Sequence, residues 1–63
     1  MKYRDLVKLV TNAGWVPIRT RGSHIHYGHP SHPGIVTIPA GGKSNADVPP
    51  GTLNSVLKQA GLK

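Results

Sequence analysis

All four histidines of this 63-residue chain lie within nine positions, at His24, His26, His29 and His32. Imidazole titrates near neutrality, so it can act as a general acid or base, and it also binds zinc, copper and nickel. The spacing H-x-H-x2-H-x2-H therefore leaves three alternatives: a metal site, a catalytic site, or histidines with no chemical role.

A metal site finds little support in the rest of the sequence. Alternation along a strand places His24 and His26 on one face of a sheet and His29 on the other, so the four rings do not converge. Structural zinc sites usually include cysteine, and this chain has none. We therefore expect no metal and no other cofactor. We interpret His29 and His32, which flank or neighbour prolines, as solvated loop residues.

The surroundings of His24 indicate acid–base chemistry on RNA. RNA carries its own nucleophile, the 2′-hydroxyl next to the scissile phosphate, so an enzyme must supply a base, an acid and positive charge. His24 follows the predicted Gly22-Ser23 turn and can serve as the general acid or base. Arg19 and Arg21, close by in sequence, can stabilise charge that builds up on phosphorus. His26 is a candidate substrate contact or second acid–base group.

The charge balance indicates a polyanionic partner. Eight Lys and Arg residues face two acids, which gives a net charge of +6. This excess is typical of proteins that bind nucleic acids, although it also favours solubility. Lys43, in a glycine-rich loop, joins Arg19 and Arg21 among the candidate RNA contacts.

The length of the chain limits the kind of site it can build. We expect one domain, residues 1–63, and a chain of this size buries only about 60% of the surface that its unfolded form exposes. A deep cavity has no room, so a substrate is expected to be a polymer lying across an open surface. No apolar run approaches the length of a membrane span, and no signal peptide is evident, which predicts a cytoplasmic protein without a membrane partner.

The periodicity of the sequence predicts the elements that hold these residues. Apolar residues at helical spacing predict helices in residues 1–14 and 52–63, and alternating segments predict strands in 15–21, 24–29 and 35–39. The expected fold is α+β, in the order α-β-β-β-α, with a three-stranded antiparallel sheet. Each strand has one mainly apolar face, in the first strand that of Val16, Ile18 and Thr20. Both helices should cover the apolar face and leave the histidine face open.

Two stretches of the sequence carry a family resemblance. "AGWVPIRTRGSHIHYGHP" resembles the HicA toxin family, with its A-G-(W/F)…R-x-x-G-S-H-x-x-(Y/F) signature. "VTIP" followed by "PPGTLNSVLKQAGL" resembles the closing strand and last helix of that family. The resemblance covers nearly the whole chain and implies a fold like that of small double-stranded-RNA-binding domains.

The resemblance also implies an activity and a partner. HicA proteins are messenger-RNA interferases that a partner antitoxin, HicB, holds inactive. The family's catalytic histidine corresponds to His24, and Gly22 and Ser23 correspond to the turn that presents it. Ser23 is therefore a further candidate substrate contact. Many members have a histidine two residues after the proline that ends the third strand, where this chain has Gly41.

Two other classes of function stay open. A non-catalytic RNA-binding module would read the shape and phosphates of RNA with Lys and Arg but would not need His24. A protein-interaction or metal-binding domain would instead show a charge-independent interface or convergent histidines. The Gly-Ser-His turn favours the catalytic interpretation, because binding alone does not require it.

Overall fold

A computed structural model describes residues 1–42 and 44–63 of the chain. The elements follow one another as α1 (Tyr3–Asn12), β1 (Val16–Arg21), β2 (His24–His29), β3 (His32–Ile38) and α2 (Pro50–Gln59). The predicted α+β class and the α-β-β-β-α order are confirmed. Neither helix is long and apolar enough to cross a membrane in the part of the chain that the structure describes.

The three strands form an antiparallel meander in the order β1-β2-β3. Gly22 and Ser23 join β1 to β2, and Gly22 has a φ of 58°. A positive φ at the first of two turn residues matches the right-handed twist of a hairpin and costs glycine little. Pro30 and Ser31 form the second turn, so β3 begins at His32, three residues earlier than the sequence predicts.

Both helices pack on the same face of the sheet, as predicted. The core contains the α1 residues Leu6 and Val10, the α2 residue Val56, and residues of β2 and β3 such as Tyr27 and Ile38. All five are at most 2% exposed. The amphipathic stripes of the helices are thus buried against one face, and the opposite face of the sheet has no helix over it.

The prediction that Val16 and Ile18 lie on the apolar face of β1, towards the helices, is wrong. Val16 and Ile18 are 55% and 57% exposed, and no residue of β1 is buried. The pairing of β1 with β2 shifts between Pro17 and Arg19, which marks a β-bulge at Ile18. An extra residue in one strand resets the alternation, so a simple period of two assigns residues before the bulge to the wrong face. The apolar side chain that fills the core at this end is Trp15, just before β1.

The segment between β3 and α2 is tied to the start of α1. The backbone N–H groups of Tyr3 and Arg4 donate to the carbonyls of Ala46 and Ser44, at 3.0 and 3.1 Å. The N–H of Val48 donates to the Met1 carbonyl at 2.8 Å. Backbone hydrogen bonds therefore hold residues 44, 46 and 48 against the start of α1. The glycine- and proline-rich composition of the segment predicts only a loop and does not indicate these contacts.

Candidate functional site on the open sheet face

The register of β1 and β2 brings four predicted site residues together. Arg21 lies directly opposite His24, and Arg19 lies opposite His26. Residues paired across antiparallel strands have Cβ atoms about 4.5–5.5 Å apart and point to the same face. That face is the one opposite the helices. The structure thus forms a compact group of two guanidinium and two imidazole side chains.

His24 is the most accessible imidazole of this group. It is the first residue of β2, directly after the hairpin turn, and its side chain is exposed. Its ring takes part in none of the side-chain hydrogen bonds between the residues that the structure describes. Both ring nitrogens can therefore meet a bound substrate, and orientation must come from the turn and from the substrate itself.

His26 is held more firmly than His24. It is half-buried, and its Nδ1 lies 3.0 Å from the hydroxyl oxygen of Thr37 on β3. Thr37 pairs with His26 across the strands, so the bond runs along the open face. The occupied Nδ1 leaves Nε2 as the nitrogen that can reach a ligand. Thr37 is not among the residues that the sequence pattern predicts for the site. Its position between the buried Val36 and Ile38 places it on the open face once the register is known.

No carboxylate shares the open face in the described part of the chain. Asp47 lies 3.2 Å from the ammonium of Lys2 in an exposed ion pair, and Asp5 belongs to the first turn of α1. Arg19 and Arg21 are both exposed and form no salt bridge with these acids. The uncompensated charge makes this face attractive to a polyanion.

Ser23 is in close contact with the segment after β3. The backbone N–H of Gly41 donates to the Ser23 carbonyl at 2.9 Å. A Cβ atom at position 41 would lie only 2.7 Å from the Ser23 Cα. The structure therefore leaves no space for a side chain at position 41. Lys43, another predicted contact, lies outside the described residues.

His29 is half-buried in β2, and His32, although exposed as expected, is the first residue of β3 and packs on Trp15, so neither is the free loop residue that the sequence predicts. The His29 Nε2 lies 2.9 Å from the carbonyl of Ala13, and its Nδ1 accepts the Ser31 N–H at 3.0 Å. The ring packs edge-on against Trp15, with centroids 5.2 Å apart, and His32 stacks on the same indole at 5.3 Å. These two histidines have a structural role at the end of α1, away from His24.

The end of the open face away from His24 is apolar. Val16 pairs with Gly28, and the Ile18 side chain lies over Gly28, since a Cβ there would be 3.3 Å from the Ile18 Cγ2. Ile35 is also exposed, at 47%. It precedes Val36, which faces the core, so alternation places Ile35 on the open face. The open face thus has a basic histidine end and an aliphatic end.

The described residues, 1–42 and 44–63, contain no group of three or more His, Cys, Asp or Glu side chains arranged to hold a metal ion. Of the four histidines, His24 and His26 share the open face, whereas His29 is engaged with Ala13 and Trp15.

Comparison with known families supports the resemblance. Residues 3–62 match the family model described as "HicA toxin of bacterial toxin-antitoxin". This chain belongs to the HicA toxin family. As a member, it is a toxin of the kind that is paired with an antitoxin. No curated protein matches the chain.

Proposed function

We propose that this HicA-family toxin is a metal-independent ribonuclease that cleaves messenger RNA on its open sheet face, with His24 as general acid or base. The observation that carries the proposal is the cross-strand placement of Arg21 with His24 and of Arg19 with His26 on a face where no described carboxylate lies. Acid–base groups and cations are the elements that RNA cleavage by its own 2′-hydroxyl requires.

In this mechanism His24 removes the proton of the 2′-hydroxyl. The 2′-oxygen then attacks phosphorus, the bond to the 5′-oxygen breaks, and a 2′,3′-cyclic phosphate and a 5′-hydroxyl form. The departing 5′-oxygen takes a proton from an acid, and His26 is a candidate for that role. Residues i and i+2 of a strand lie about 6.6 Å apart, a separation that allows two side chains to flank one phosphate.

The arginines and Ser23 fit the binding part of the reaction. Arg19 and Arg21 each adjoin one of the histidines, so they can contact the scissile phosphate and its neighbour. A planar guanidinium can donate two parallel hydrogen bonds to phosphate oxygens. Ser23 lies at the hairpin tip, where its hydroxyl is exposed next to His24. Lys43 is proposed as a further phosphate contact from its charge alone.

The test is cleavage of a labelled single-stranded RNA by purified wild type and by His24→Ala. A positioned acid–base group typically accelerates a reaction by about 10²–10⁴, so His24→Ala should lose that factor and wild type should keep its activity in EDTA. His32→Ala is the matched control, because it removes an exposed imidazole far from the arginines. Wild-type products should end in a 2′,3′-cyclic phosphate or 3′-phosphate and a 5′-hydroxyl.

Two results would replace this proposal. If His24→Ala cleaves RNA at the wild-type rate, the chain is better described as a basic RNA-binding module. If EDTA abolishes wild-type cleavage, a metal takes part in the reaction. Growth arrest on expression of the chain alone, and loss of that arrest in His24→Ala, would support ribonuclease activity in cells. Because the proposed substrate is messenger RNA, we expect the protein to act in the cytoplasm.

We further propose that a HicB-like antitoxin silences the toxin by covering the open face. A protein that does so would present acids to Arg19 and Arg21 and apolar side chains to the aliphatic end around Ile18. Complementary charge would also speed the encounter. Amide exchange with and without the antitoxin tests this, because protection should appear in β1 and β2. Protection confined to residues 2–13 and 53–60 would instead show docking on the helices.

A further inference from the structure

We infer that Gly41 is a positioning residue for His24: its lack of a side chain lets the segment after β3 close onto the Gly22-Ser23 turn and fix it. The inference rests on the proposed ribonuclease function, since it concerns the group that performs the chemistry. Gly41 itself touches neither His24 nor a substrate. It acts through Ser23, the residue before His24.

The first observation is steric. A Cβ built at position 41 lies 2.7 Å from the Ser23 Cα and 3.1 Å from both the Ser23 Cβ and its carbonyl oxygen. Real Cβ atoms do not approach backbone this closely, and backbone cannot swing aside as the end of a long side chain can. Gly41 does not have a positive φ, so the requirement for glycine at this position is one of space alone.

The second observation is the hydrogen bond between the same residues. Ile25 pairs with Ile38, the last residue of β3, so the residue that follows the strand, Pro39, lies beside His24. Pro39 has no N–H and cannot donate to the neighbouring strand. The bond from the Gly41 N–H to the Ser23 carbonyl, at 2.9 Å, is then the tie between the hairpin turn and the segment after β3.

The third observation is that the segment after β3 is held in place, whereas the Gly22-Ser23 turn is free to shift. Ala40 is 8% exposed and belongs to the core, and the backbone of residues 44 and 46 is bonded to α1. The hairpin turn is exposed at the end of the sheet. A methyl group at position 41 would therefore displace the turn, or break the bond to Ser23 if the segment moved instead. Both results remove the support on one side of His24.

The magnitude follows from the distances. An ordinary contact begins at 3.4 Å, so a Cβ at 2.7 Å requires a relative shift of about 0.7 Å. A misplacement of about 1 Å in a catalytic group can cost about 10² in rate. Gly41→Ala should therefore lower kcat by roughly 10- to 100-fold with little change in KM. Gly34→Ala is the matched control, because nothing lies within 4 Å of a Cβ at position 34.

The experiment compares pH–rate profiles of wild type, Gly41→Ala and Gly34→Ala on the same labelled RNA. A variant that merely unfolds in part scales the whole profile by one constant. Misplacement of His24 instead flattens the profile towards that of His24→Ala, and this change of shape is the expected result for Gly41→Ala. Backbone amide resonances of Ser23 and His24 should also shift in Gly41→Ala, and the Gly41 amide should exchange faster.

The failures of the two proposals can be told apart. Wild type that does not cleave RNA refutes the ribonuclease. If wild type cleaves RNA and Gly41→Ala is fully active, only the positioning role is refuted. The same holds if the pH–rate profile of Gly41→Ala keeps the wild-type shape and falls only in proportion to the folded fraction. Unchanged Ser23 and His24 resonances in Gly41→Ala would refute the steric argument whatever the activity.

Discussion

His29→Ala should destabilise this domain far more than removal of an exposed histidine would. Ala13 is the C-terminal capping residue of α1, and the last carbonyls of a helix have no partner within the helix. The His29 ring supplies one, because it accepts the Ser31 N–H at Nδ1 and therefore carries its proton on Nε2, which donates to the Ala13 carbonyl. The substitution removes both bonds and the edge-on contact with Trp15.

The expected loss is about 3 kcal/mol in the free energy of unfolding. Each hydrogen bond contributes about 0.5–1.5 kcal/mol, and an aromatic pair contributes about 0.5–1.5 kcal/mol beyond the area that it buries. Domains have roughly 0.05–0.15 kcal/mol of stability per residue, so a chain of 63 residues has about 3–9 kcal/mol. The substitution should therefore remove a third or more of the total stability.

Urea denaturation, followed by the fluorescence of Trp15 and by circular dichroism, measures this loss. Trp15 is the single tryptophan of the chain. His32→Ala is the control, because it removes ring contacts alone, one with the same indole and one with His29. It should cost about 1 kcal/mol, the low end of the value for two aromatic pairs, because the His32 side chain is exposed. A cost below about 0.5 kcal/mol for His29→Ala, or one no greater than that of His32→Ala, would show that the ring does not stabilise the end of α1 in this way.

Two further predictions concern charge and pH. RNA affinity should fall steeply with salt, because each neutralised phosphate releases a counterion. Arg19→Ala and Arg21→Ala should each reduce the slope of log affinity against log salt concentration by about 0.7, whereas the control Lys8→Ala on α1 should leave it unchanged. An affinity that does not depend on salt would contradict binding through the basic face. Burial raises the pKa of Tyr27 above its ordinary 10.0, so the folded state keeps the proton that the unfolded state loses. The free energy of unfolding should therefore decline as the pH rises above about 10. Urea titrations at several pH values should show a weaker decline in Tyr27→Phe than in wild type. A decline of the same size in Tyr27→Phe would show that other titratable side chains cause it.

Local patterns in the sequence were sufficient for the elements and their order. Helical spacing of apolar residues places α1 and α2, because one stripe of each helix must be buried whatever it packs against. Glycine marks the end of α1, where Gly14 has a φ of 100°, a value that side-chain-bearing residues rarely adopt. The Gly22-Ser23 turn and the proximity of Arg21 to His24 follow from a short hairpin, in which the turn length fixes the register.

Contacts between distant segments decided the rest. The bulge at Ile18 exposes aliphatic side chains that a period of two would bury, and no local pattern announces it. The contact of Gly41 with Ser23 joins residues that are separated in sequence by two strands, β2 and β3, so it depends on how the segment after β3 docks.

The histidines show the same division. The sequence by itself placed His24 and His26 on one face, because alternation along a strand is a local property. Only the tertiary structure assigned the other two, since the partners of His29 are a carbonyl at the end of α1 and an indole before β1. An imidazole can be solvated, bonded or catalytic with the same neighbours in sequence. Its role is set by the donors, acceptors and apolar surfaces that folding brings against it.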